Sequence, residues 1–427
     1  MFLRQRAVDQ APAAGQRGDH NVAANFKQLF SGVKVLAVAR VIAAPFAARH
    51  LAVNGADVIT IENPDEGDSS RVSEVREEFL KPKMARGFLS NNVNKRSLTL
   101  ALNTPEGQDI FRRLARDTDV VIENLRTGTM ARYGLGYEDL KRINPGIIFC
   151  SVTGFGQTGP KARDPGIDDA IQAASGMMSL TGTPESGPLK TGTTVIDYST
   201  GYAAAFAIAG ALFHRGRTGV GQAIDLAMLE VAMTLMSAEV TRAVTSGEQP
   251  GLHGNGSGVG RYISNSFRCR EGSIMIAARS QNLRGRFWKS IDREDIPRDP
   301  RFATDTAARR NMKDLEAEVE KTLATRTARE WEEKLNQDGV PAMQVLSLVD
   351  AVNDPHIAAR EFIKRFDADA EAGIPAYSVP GMPYRFSETP AAITRRAPRL
   401  GEHTEAILSE AGLSREEIAG LRGKKIV

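Results

Sequence analysis

A lone carboxylate, Asp197, stands between a segment rich in glycine and proline and a long apolar run. The segment at 165–198 reads PGIDDAIQAASGMMSLTGTPESGPLKTGTTVIDY, and the apolar run from Tyr202 to Leu212 follows it. An aspartate at the start of a helix has a structural explanation, because its carboxylate accepts hydrogen bonds from the free N–H groups of the first turn. It also has a chemical one. An ionised carboxylate is a nucleophile that needs no general base, and its usual pKa is about 4.

Two further stretches carry groups that would assist such a nucleophile. The acidic pair Asp168-Asp169 lies in the same segment, and Asp168 either orients the substrate or Asp197, or caps a helix. Residues 251–260 read GLHGNGSGVG, with five glycines in ten positions. This stretch is either a flexible connector or a mobile flap whose backbone N–H groups cover a reacting carbonyl.

Composition excludes several classes of protein. The chain has 427 residues, 41% hydrophobic and 25% charged, which is typical of a soluble globular protein long enough for two domains. A net charge of +3 is too small for a nucleic-acid partner. The two cysteines, Cys150 and Cys269, predict neither a disulfide framework nor a zinc site, and the six histidines show no metal-binding spacing. We therefore expect no metal and a reduced, cytoplasmic compartment.

No segment has the pattern of a membrane anchor or an export signal. Every apolar run is interrupted by charge or glycine before it reaches the length of a bilayer span, so no membrane partner is expected. The first 25 or so residues are polar, carry both charge signs and have no apolar centre. We expect residues 1–29 to form a disordered tail.

From Gly32 the chain alternates between strand and helix patterns. Short apolar runs predict strands, and the segments between them predict helices, one ended by Gly55 and another begun by Thr104-Pro105. The strand runs are GVKVLAVA, DVITIEN, RSLTLAL, VVIEN and GIIFCSV. Such alternation predicts a parallel sheet covered on both faces, with ligands beyond the carboxyl ends of its strands.

One glycine motif in this region invites a different interpretation. Gly154-Phe-Gly156-Gln-Thr-Gly159 has the spacing of a dinucleotide fingerprint directly after a strand. Pro160 follows at once, so no helix begins there to direct its N-terminal N–H groups at a pyrophosphate. The sequence therefore disfavours a nicotinamide cofactor.

The second half of the chain is less regular. TGYAAAFAIAGALFHRG is almost free of charge, which predicts a deeply buried helix whose small residues let another backbone approach. AIDLAMLEVAMTLMS is Met-rich and predicts either core or a dimer interface. Residues 262–279 predict a β-hairpin turning at Glu271-Gly272, and 306–340 predict charged amphipathic helices. Strand and helix patterns resume from Val340.

The order of these motifs resembles the family III CoA-transferases, which include formyl-CoA transferase, carnitine CoA-transferase and the α-methylacyl-CoA racemases. The resemblance rests on GFGQTGP, PGIDxxxQAxSG, the aspartate before an apolar helix, HRGRTGVGQAIDLAMLE and the closing RAPRLGEHTEAILSEAGLSREEIAGL. It extends from about Gly32 to the C-terminus and implies that Asp197 is the nucleophile.

The resemblance also implies an architecture. A Rossmann-like parallel-sheet large domain is built from N- and C-terminal parts, a smaller α+β domain is inserted between them, and two subunits interlock as a homodimer. On this basis we place the large CoA-binding domain at 30–240, the small domain at 241–335, and a linker with the C-terminal part of the large domain at 336–427.

The implied reaction moves CoA from an acyl-CoA thioester to a free carboxylic acid, with CoA thioester as substrate and no permanently bound cofactor. Attack by Asp197 would give an aspartyl mixed anhydride and then an aspartyl-CoA thioester. The resemblance assigns oxyanion donation to a glycine loop and assigns CoA contacts to a second set of residues. The loop residues are Gly254, Asn255, Gly256 and Ser257, with Asp168 in support. The CoA contacts are Arg40, Val41, Ala43, Leu100, Asn124, Leu125, Arg132 and Tyr133, and Asn94-Lys95-Arg96 adds basic charge.

Two alternatives remain open within this resemblance. A racemase needs two acid–base groups, and Ile167 stands where racemases carry a histidine. The second alternative is a CoA-binding protein of the same fold that has no catalytic activity. A GxSxG hydrolase is disfavoured because the motif is absent. Asn63 and Ile42 stand where relatives have arginine and glutamine, which argues against formate or oxalate. Dicarboxylates such as succinate remain candidates, with Arg40, Arg261 and Arg279 as possible partners.

Overall fold

A six-stranded parallel sheet forms the centre of the molecule in the computed structural model, which describes residues 28–256 and 263–427. The strand order is β3-β2-β1-β4-β5-β8. Strands β2 and β3 are added on one side of β1, and β4, β5 and β8 on its other side, so the strand order reverses at the β1/β4 pair. The strands within the described residues are β1 (Lys34–Val38), β2 (Asp57–Glu62), β3 (Arg96–Thr99), β4 (Val120–Glu123), β5 (Ile148–Thr153), β6 (Gly182–Thr183), β7 (Gly187–Pro188), β8 (Ala223–Ala227), β9 (Ser264–Arg268), β10 (Ser273–Ala277), β11 (Ala342–Gln344), β12 (Ile363–Phe366) and β13 (Tyr377–Pro380).

Helices cover both faces of this sheet and build the rest of the described chain. Three short 3₁₀ segments occur at Ser69–Val72, Met177–Leu180 and Ile296–Arg298. The α-helices are α1 (Ala43–Val53), α2 (Glu77–Leu80), α3 (Arg86–Asn91), α4 (Pro105–Ala115), α5 (Thr129–Arg132), α6 (Tyr137–Ile143), α7 (Asp168–Ala174), α8 (Val195–Thr218), α9 (Met228–Leu235), α10 (Ser237–Ser246), α11 (Gln281–Ser290), α12 (Asp305–Arg310), α13 (Met312–Leu323), α14 (Ala328–Gln337), α15 (Leu348–Val352), α16 (Pro355–Ala359), α17 (Thr404–Glu410) and α18 (Arg415–Gly423).

The side chains of β1 alternate between the two faces of the sheet, which divides the core into two layers. Val35 and Ala37 face the layer formed with α1 and α8, whereas Leu36 and Val38 face the layer formed with α4, α6, α17 and α18. This period-2 separation is what a strand buried on both faces requires. The last helices of the chain thus pack on the sheet made by its first strands, and the backbone of Ile426 accepts a hydrogen bond from Ala101. The predicted α/β fold, with a large unit built from both ends of the chain, is confirmed.

Local sequence signals explain where several elements begin and end. Thr104 accepts a hydrogen bond from the Gly107 N–H and Pro105 is the first residue of α4, as predicted. After α1 the backbone of Gly55 adopts φ +102°, a left-handed conformation that favours glycine. No helix follows β5 until Asp168, so the glycine motif at 154–159 does not open a dinucleotide site.

A second core lies around an antiparallel sheet of order β11-β10-β9. Helices α11, α13 and α14 pack against it through Phe287, Leu315 and Trp331. Strands β9 and β10 form the predicted hairpin. The predicted boundary at residue 335 falls inside α14, and β11 pairs with β10 beyond it.

One expectation about an individual element is wrong. Helix α8 is not deeply buried: Ile208 is fully buried, but Phe206 and Phe213 on other faces are 82% and 68% exposed. The run AIDLA, to which no strand was assigned, forms strand β8 and extends the sheet beside β5. At the start of the chain, residues 1–27 of the predicted tail lie outside the described residues. Gln28 is described, and its side chain donates to the backbone of Val53.

Within the described residues, α8 is the one helix with the length and apolar content of a membrane span. One of its faces packs against α1 and the sheet.

Candidate active site

Asp197 lies in a cleft at the carboxyl edge of the parallel sheet. The cleft has a volume of about 310 Å³ and is formed by the loops that follow β1, β4 and β5, together with the start of α8. It lies beside the β1/β4 pair, where the strand order reverses. Loops after such strands diverge to opposite faces of the sheet and leave a crevice, so this is the expected position of a ligand site in a doubly wound fold.

A second buried carboxylate fixes the position of Asp197. Asp168 Oδ2 accepts the backbone N–H groups of Ile196 (2.7 Å) and Asp197 (2.9 Å) and so caps α8 from outside the helix. Its other oxygen accepts from the side chain of Gln172, whose own oxygen accepts the Thr191 N–H at 2.9 Å. Asp168 therefore caps α8 and supports Asp197 through the same two hydrogen bonds. In the described chain the Asp197 carboxylate itself has no hydrogen-bond partner, so it is not the helix cap.

Close packing of α8 against α1 brings Asp197 to the loop after β1. Gly201 makes this possible, since a Cβ atom there would lie 2.8 Å from the carbonyl oxygen of Ala43 and 2.8 Å from the Phe46 ring. The predicted close approach of another backbone to this helix is thereby observed. Phe46 also makes edge contacts with the rings of Tyr198 and Tyr202, at 4.9 and 5.2 Å between centroids.

Burial raises the pKa of Asp197 to about 7, and the negative charges of Asp168 and Asp169 contribute in the same direction. The expectation that this carboxylate keeps an ordinary acidity near pH 4 is wrong. The ionised form is poorly solvated and more basic than an exposed aspartate. A carboxylate of this kind is a stronger nucleophile once it loses its proton.

The loop after β1 carries three of the predicted CoA contacts, Arg40, Val41 and Ala43, and all three line this cleft. Val41 has φ +68° and is 43% exposed. A β-branched residue in this conformation costs on the order of 1–3 kcal/mol and persists only when its surroundings enforce it. Asn124 holds the neighbouring peptide by accepting the Arg40 N–H and donating to the Arg40 carbonyl, both at 2.9 Å. The amide of Asn124 is thus occupied by the loop itself.

A second cleft of about 350 Å³ continues from the first. Arg40, Leu125 and Arg126 line both clefts, and Leu100 and Tyr133 line the second alone. Seven of the eight predicted CoA contacts therefore lie along one continuous groove. Arg132 lines neither cleft. It lies on α5 between Thr129 and Tyr133, which do line the second one, and its guanidinium donates to the Thr129 hydroxyl at 3.0 Å.

The described part of the glycine loop, Gly254 to Gly256, lies away from the cleft of Asp197. Gly254 donates its N–H to Gly182 at 2.7 Å, and Gly256 donates to the carbonyl of His253, so this end of the loop rests on the β6–β7 hairpin. Gly254, Asn255 and Gly256 do not line the cleft of Asp197. Ser257 and Arg261 lie outside the described residues.

The basic stretch Asn94-Lys95-Arg96 also lies elsewhere than expected. Lys95 is fully buried and donates to the Pro45 carbonyl and to Asn92, both at 2.8 Å. Arg96 lies at the other edge of the sheet between the carboxylates of Asp57 and Glu410. Neither lines the groove. Arg279 is also outside it, with its guanidinium on the Ser264 hydroxyl at 3.3 Å.

Sequence reasoning missed two cleft arginines, Arg126 and Arg163. Within the described residues, neither these side chains nor that of Arg40 has an ion-pair or hydrogen-bond partner. Arg126 follows Asn124-Leu125 directly, and Arg163 lies in GPKARDPG, so both were adjacent to motifs that had been recognised. Unpaired guanidinium groups lining a cleft are suited to anionic ligands. Among the described residues, no cluster of His, Cys, Asp or Glu side chains is arranged to hold a metal ion.

Known proteins share this sequence and this fold. The family model described as CoA-transferase family III matches residues 30–404. Succinate–glutarate CoA-transferase of Agrobacterium fabrum is 36% identical over 400 residues, which cover 90% of this chain and 96% of the relative. The beta subunit of succinyl-CoA–L-malate CoA-transferase of Chloroflexus aurantiacus is 33% identical, with 93% and 98% covered. A crystal structure of a CAIB/BAIF family protein from Brucella suis superposes with a TM-score of 0.78 at 34% identity, covering 90% of this chain and all of that one.

Proposed function

Since this chain belongs to CoA-transferase family III and is a CoA-transferase, we propose that Asp197 is the nucleophile that carries the acyl group and then CoA. The observation that carries the proposal is the position of this carboxylate: it faces a cleft lined by predicted CoA contacts and has no hydrogen-bond partner in the described chain. Asp168 fixes its backbone without occupying its oxygens. The side chain is therefore held in place and free to react.

The proposed reaction proceeds through two covalent states. An ionised oxygen of Asp197 attacks the thioester carbon of the donor, the C–S bond breaks, and CoA leaves as thiolate with a mixed anhydride on Asp197. The thiolate then attacks the aspartyl carbonyl, which releases the donor acid and forms an aspartyl-CoA thioester. The acceptor carboxylate attacks that thioester, and the returning thiolate cleaves the new anhydride on the acceptor side. Acyl-CoA of the acceptor is released and Asp197 is regenerated as a carboxylate.

The cofactor part of the substrate is proposed to lie along the groove. Its reacting end occupies the cleft of Asp197, its adenine contacts Leu100 and Tyr133, and its phosphates meet the unpaired guanidinium groups of Arg40 and Arg126 where the two clefts join. Arg132 is retained as a phosphate partner at the rim because the flanking residues of α5 line the second cleft. No permanently bound cofactor enters this scheme.

A dicarboxylate is the proposed acid. The two relatives described above are named for succinate, glutarate and malate, which all carry a second carboxylate. Arg163 lines the cleft of Asp197 but not the nucleotide cleft, and its charge is unpaired within the described residues. It is therefore the proposed partner of the carboxylate that does not react. Arg40, shared by both clefts, is the second candidate.

A homodimer is proposed as the functional unit. Several large apolar side chains on α8, α9, α10 and α15 are exposed in the single chain, and exposed apolar surface is what a subunit interface would cover. They include Phe206, Phe213, Leu235, Val244, Leu348 and Val349. Interlocking of two subunits would cover them. The oxyanion role of Gly254, Asn255, Gly256 and Ser257 is retained as a proposal, and it requires the loop to reach the cleft from the β6–β7 hairpin or from a second subunit.

The domain division and the location of the protein are likewise proposals. The separate antiparallel core supports an inserted small domain that begins near 241 and ends after Gln344. Two unpaired cysteines, Cys150 buried and Cys269 partly buried, support a cytoplasmic enzyme. Neither a nucleic acid nor a membrane is part of the proposed reaction.

The racemase alternative finds less support in the cleft. Racemisation needs an acid–base pair on opposite sides of the α-carbon. Ile167 occupies the position of the second group and is 69% exposed at the cleft, and no histidine lines the described part of that cleft.

Acid pairs of equal length test the proposal. Glutarate is compared with pentanoate as acceptor from succinyl-CoA, and succinate with butyrate as acceptor from glutaryl-CoA, with wild type, Arg163→Gln and Asp197→Asn. We expect Asp197→Asn to lose transfer to every acid by at least about 10³-fold. Arg163→Gln should lower kcat/KM for the dicarboxylates by about 10-fold or more and leave the monocarboxylates unchanged. Normal transfer by Asp197→Asn would refute the nucleophile. An equal loss for both kinds of acid would refute the assignment of Arg163.

A further inference from the structure

Val41 is the most unusual backbone position in the cleft. It is β-branched, its φ of +68° is in the left-handed region, and its side chain remains 43% exposed while it lines the site of Asp197. Neither burial of an apolar side chain nor a tight turn requires this arrangement. Strain of this kind concentrates at functional sites because there the conformation itself is needed.

Asp68 enforces the conformation. Its two carboxylate oxygens both lie 3.1 Å from the Val41 N–H, and Asp68 is only 3% exposed. The carboxylate is itself fixed, because it also accepts the Ser70 N–H at 2.9 Å, and the Asp68 N–H donates to Glu62 at 3.1 Å. Glu62 in turn forms a fully buried ion pair with Arg71 at 2.7 Å. The peptide of Val41 is thus tied to a rigid ionic network inside the fold.

Asp68 acts together with two other side chains on one short segment. Asn124 holds both backbone groups of Arg40, Asp68 holds the N–H of Val41, and Lys95 holds the carbonyl of Pro45 at 2.8 Å. We call Asp68, Lys95 and Asn124 the loop clamp. Each of the three side chains contacts the backbone between residues 40 and 45, which are the residues that connect the end of β1 to the start of α1 beside Asp197.

The charges of the clamp are mutually supporting. Lys95 is 2% exposed, and its ammonium has no carboxylate in direct contact. Burial lowers the pKa of Lys95 to about 7, and the negative charge of Asp68 is the largest influence that opposes this shift. Buried charges of opposite sign are retained where each compensates the other, and removing one leaves the second uncompensated. The Asp68 carboxylate therefore has two effects. It accepts the Val41 N–H, and its negative charge stabilises the charged form of Lys95.

We propose that Asp68 is a positioning residue for CoA transfer, which acts by holding Val41 in its left-handed conformation so that the loop at 40–45 presents a fixed wall to the thioester. The proposal rests on the proposed function of the cleft. It does not make Asp68 a catalytic residue, since the carboxylate contacts the loop and not the reacting atoms.

The test exploits the strain at Val41. Glycine adopts a left-handed conformation without steric cost, so Val41→Gly removes the need for the restraint. We compare wild type, Asp68→Ala, Val41→Gly and the double variant for kcat, for KM of acyl-CoA and for equilibrium binding of CoA, which needs no turnover. Asp68→Ala should lower kcat/KM by about 10². The double variant should recover at least about 10-fold of that loss, although Val41→Gly alone removes an apolar contact and is itself impaired.

Asp119 supplies the matched control. Its carboxylate accepts the N–H of Lys34 at 2.6 Å at the opposite end of the same strand β1, and it pairs with Arg215. Asp119→Asn should lower the melting temperature without changing the KM of acyl-CoA. If Asp68→Ala does not fold, Asp68→Asn, which keeps one acceptor oxygen, takes its place in the same comparison.

Recovery in the double variant supports the proposal. It is overturned if the effects of Val41→Gly and the Asp68 variant simply multiply, or if the Asp68 variant loses melting temperature with unchanged CoA binding. Absence of transfer by wild type with every acid pair would instead refute the proposed function, and the binding data would still decide the role of Asp68.

Discussion

Two clefts of the same volume, about 310 Å³ each, lie at opposite ends of the same parallel sheet. The cleft at the amino edge contains Arg96, whose guanidinium is held by the carboxylates of both Asp57 and Glu410. The cleft at the carboxyl edge contains Arg40, Arg126 and Arg163, which have no such partner among the described residues. Size and basic residues are therefore common to both. The strained peptide of Val41 and the partly buried, unpartnered carboxylate of Asp197 distinguish the carboxyl edge.

The difference has a physical origin in the topology. Loops at the carboxyl edge diverge at the β1/β4 pair and leave a crevice between them. At the amino edge α17 packs over the ends of β2 and β3 and supplies Glu410 to Arg96. The same sheet thus carries a cleft with the ion-paired Arg96 at one end and the cleft of Asp197 at the other.

The largest effect on this contrast is expected from Gly201, because it sets the distance between α8 and the loop after β1. Gly201→Ala would place a methyl group 2.8 Å from the Ala43 carbonyl and displace Asp197 from that loop. We expect kcat/KM for CoA transfer to fall by about 10²-fold, since small misplacements of reacting groups have effects of this size. Gly216→Ala on the same helix, where a Cβ meets nothing within 4 Å, is the control and should leave steady-state kinetics unchanged.

Replacing one arginine by alanine in each cleft would sharpen the comparison of the two clefts. Arg126→Ala removes an unpaired guanidinium from the junction of the two clefts proposed to bind CoA, and we expect the KM of acyl-CoA to rise about 10-fold. Arg96→Ala breaks two ion pairs at the amino edge and should alter the melting temperature but not the KM. Equal kinetic effects of the two changes would abolish the distinction between the clefts.

The acidity of Asp197 predicts a pH profile for its acylation. Only the ionised carboxylate attacks, and its pKa is about 7, so the single-turnover rate should rise through neutrality and be about 10-fold lower at pH 6 than at its plateau. Asp169→Asn removes one of the charges that raise this pKa and should move the profile to lower pH. Asp169 is exposed and pairs with Lys190, so the change is not expected to disturb the core. A flat profile between pH 5 and 8 would contradict the elevated pKa.

The smallest expected effect is on stability. The folded-state pKa of Asp197 lies above its unfolded value of about 4, so the folded protein binds more protons between pH 4 and 7 and loses stability as the pH rises through that interval. Asp197→Asn resembles the protonated acid. We expect it to melt at a higher temperature than wild type at pH 8, with the difference disappearing towards pH 4. Thermal melts at the two pH values measure this, and a higher melting temperature for wild type at pH 8 would be inconsistent with an unfavourably buried carboxylate.

Local patterns were sufficient to predict much of the fold. Alternating runs such as GVKVLAVA located the first strands, and Thr104 and Gly55 marked helix ends through their own backbone chemistry. Strand β8 was missed because AIDLA runs directly into an apolar helix with no turn signal between them. The exposure of Phe206 was missed because absence of charge along a helix does not distinguish burial in the same chain from burial against another.

Sequence motifs named residues of the candidate site, but they did not predict the pKa of Asp197. Asp197 and the contacts of the loop after β1 were named from motifs, but the raised pKa depends on burial and on Asp168, which only the fold brings near. Asp68 and Lys95 were assigned no role or a different one, because their partners lie 27 and 50 residues away along the chain. Long-range contacts of this kind leave no periodic signal in a sequence.

Trapping of the covalent state on Asp197 tests the central claim most directly. Wild type and Asp197→Asn are incubated with succinyl-CoA and hydroxylamine, digested and analysed by mass spectrometry, since hydroxylamine converts an aspartyl anhydride or thioester to a hydroxamate. We predict a hydroxamate on the peptide that contains Asp197 in the wild type and none in the variant. An unmodified Asp197 in enzyme that is actively transferring CoA, or a hydroxamate on a different residue, would contradict the account.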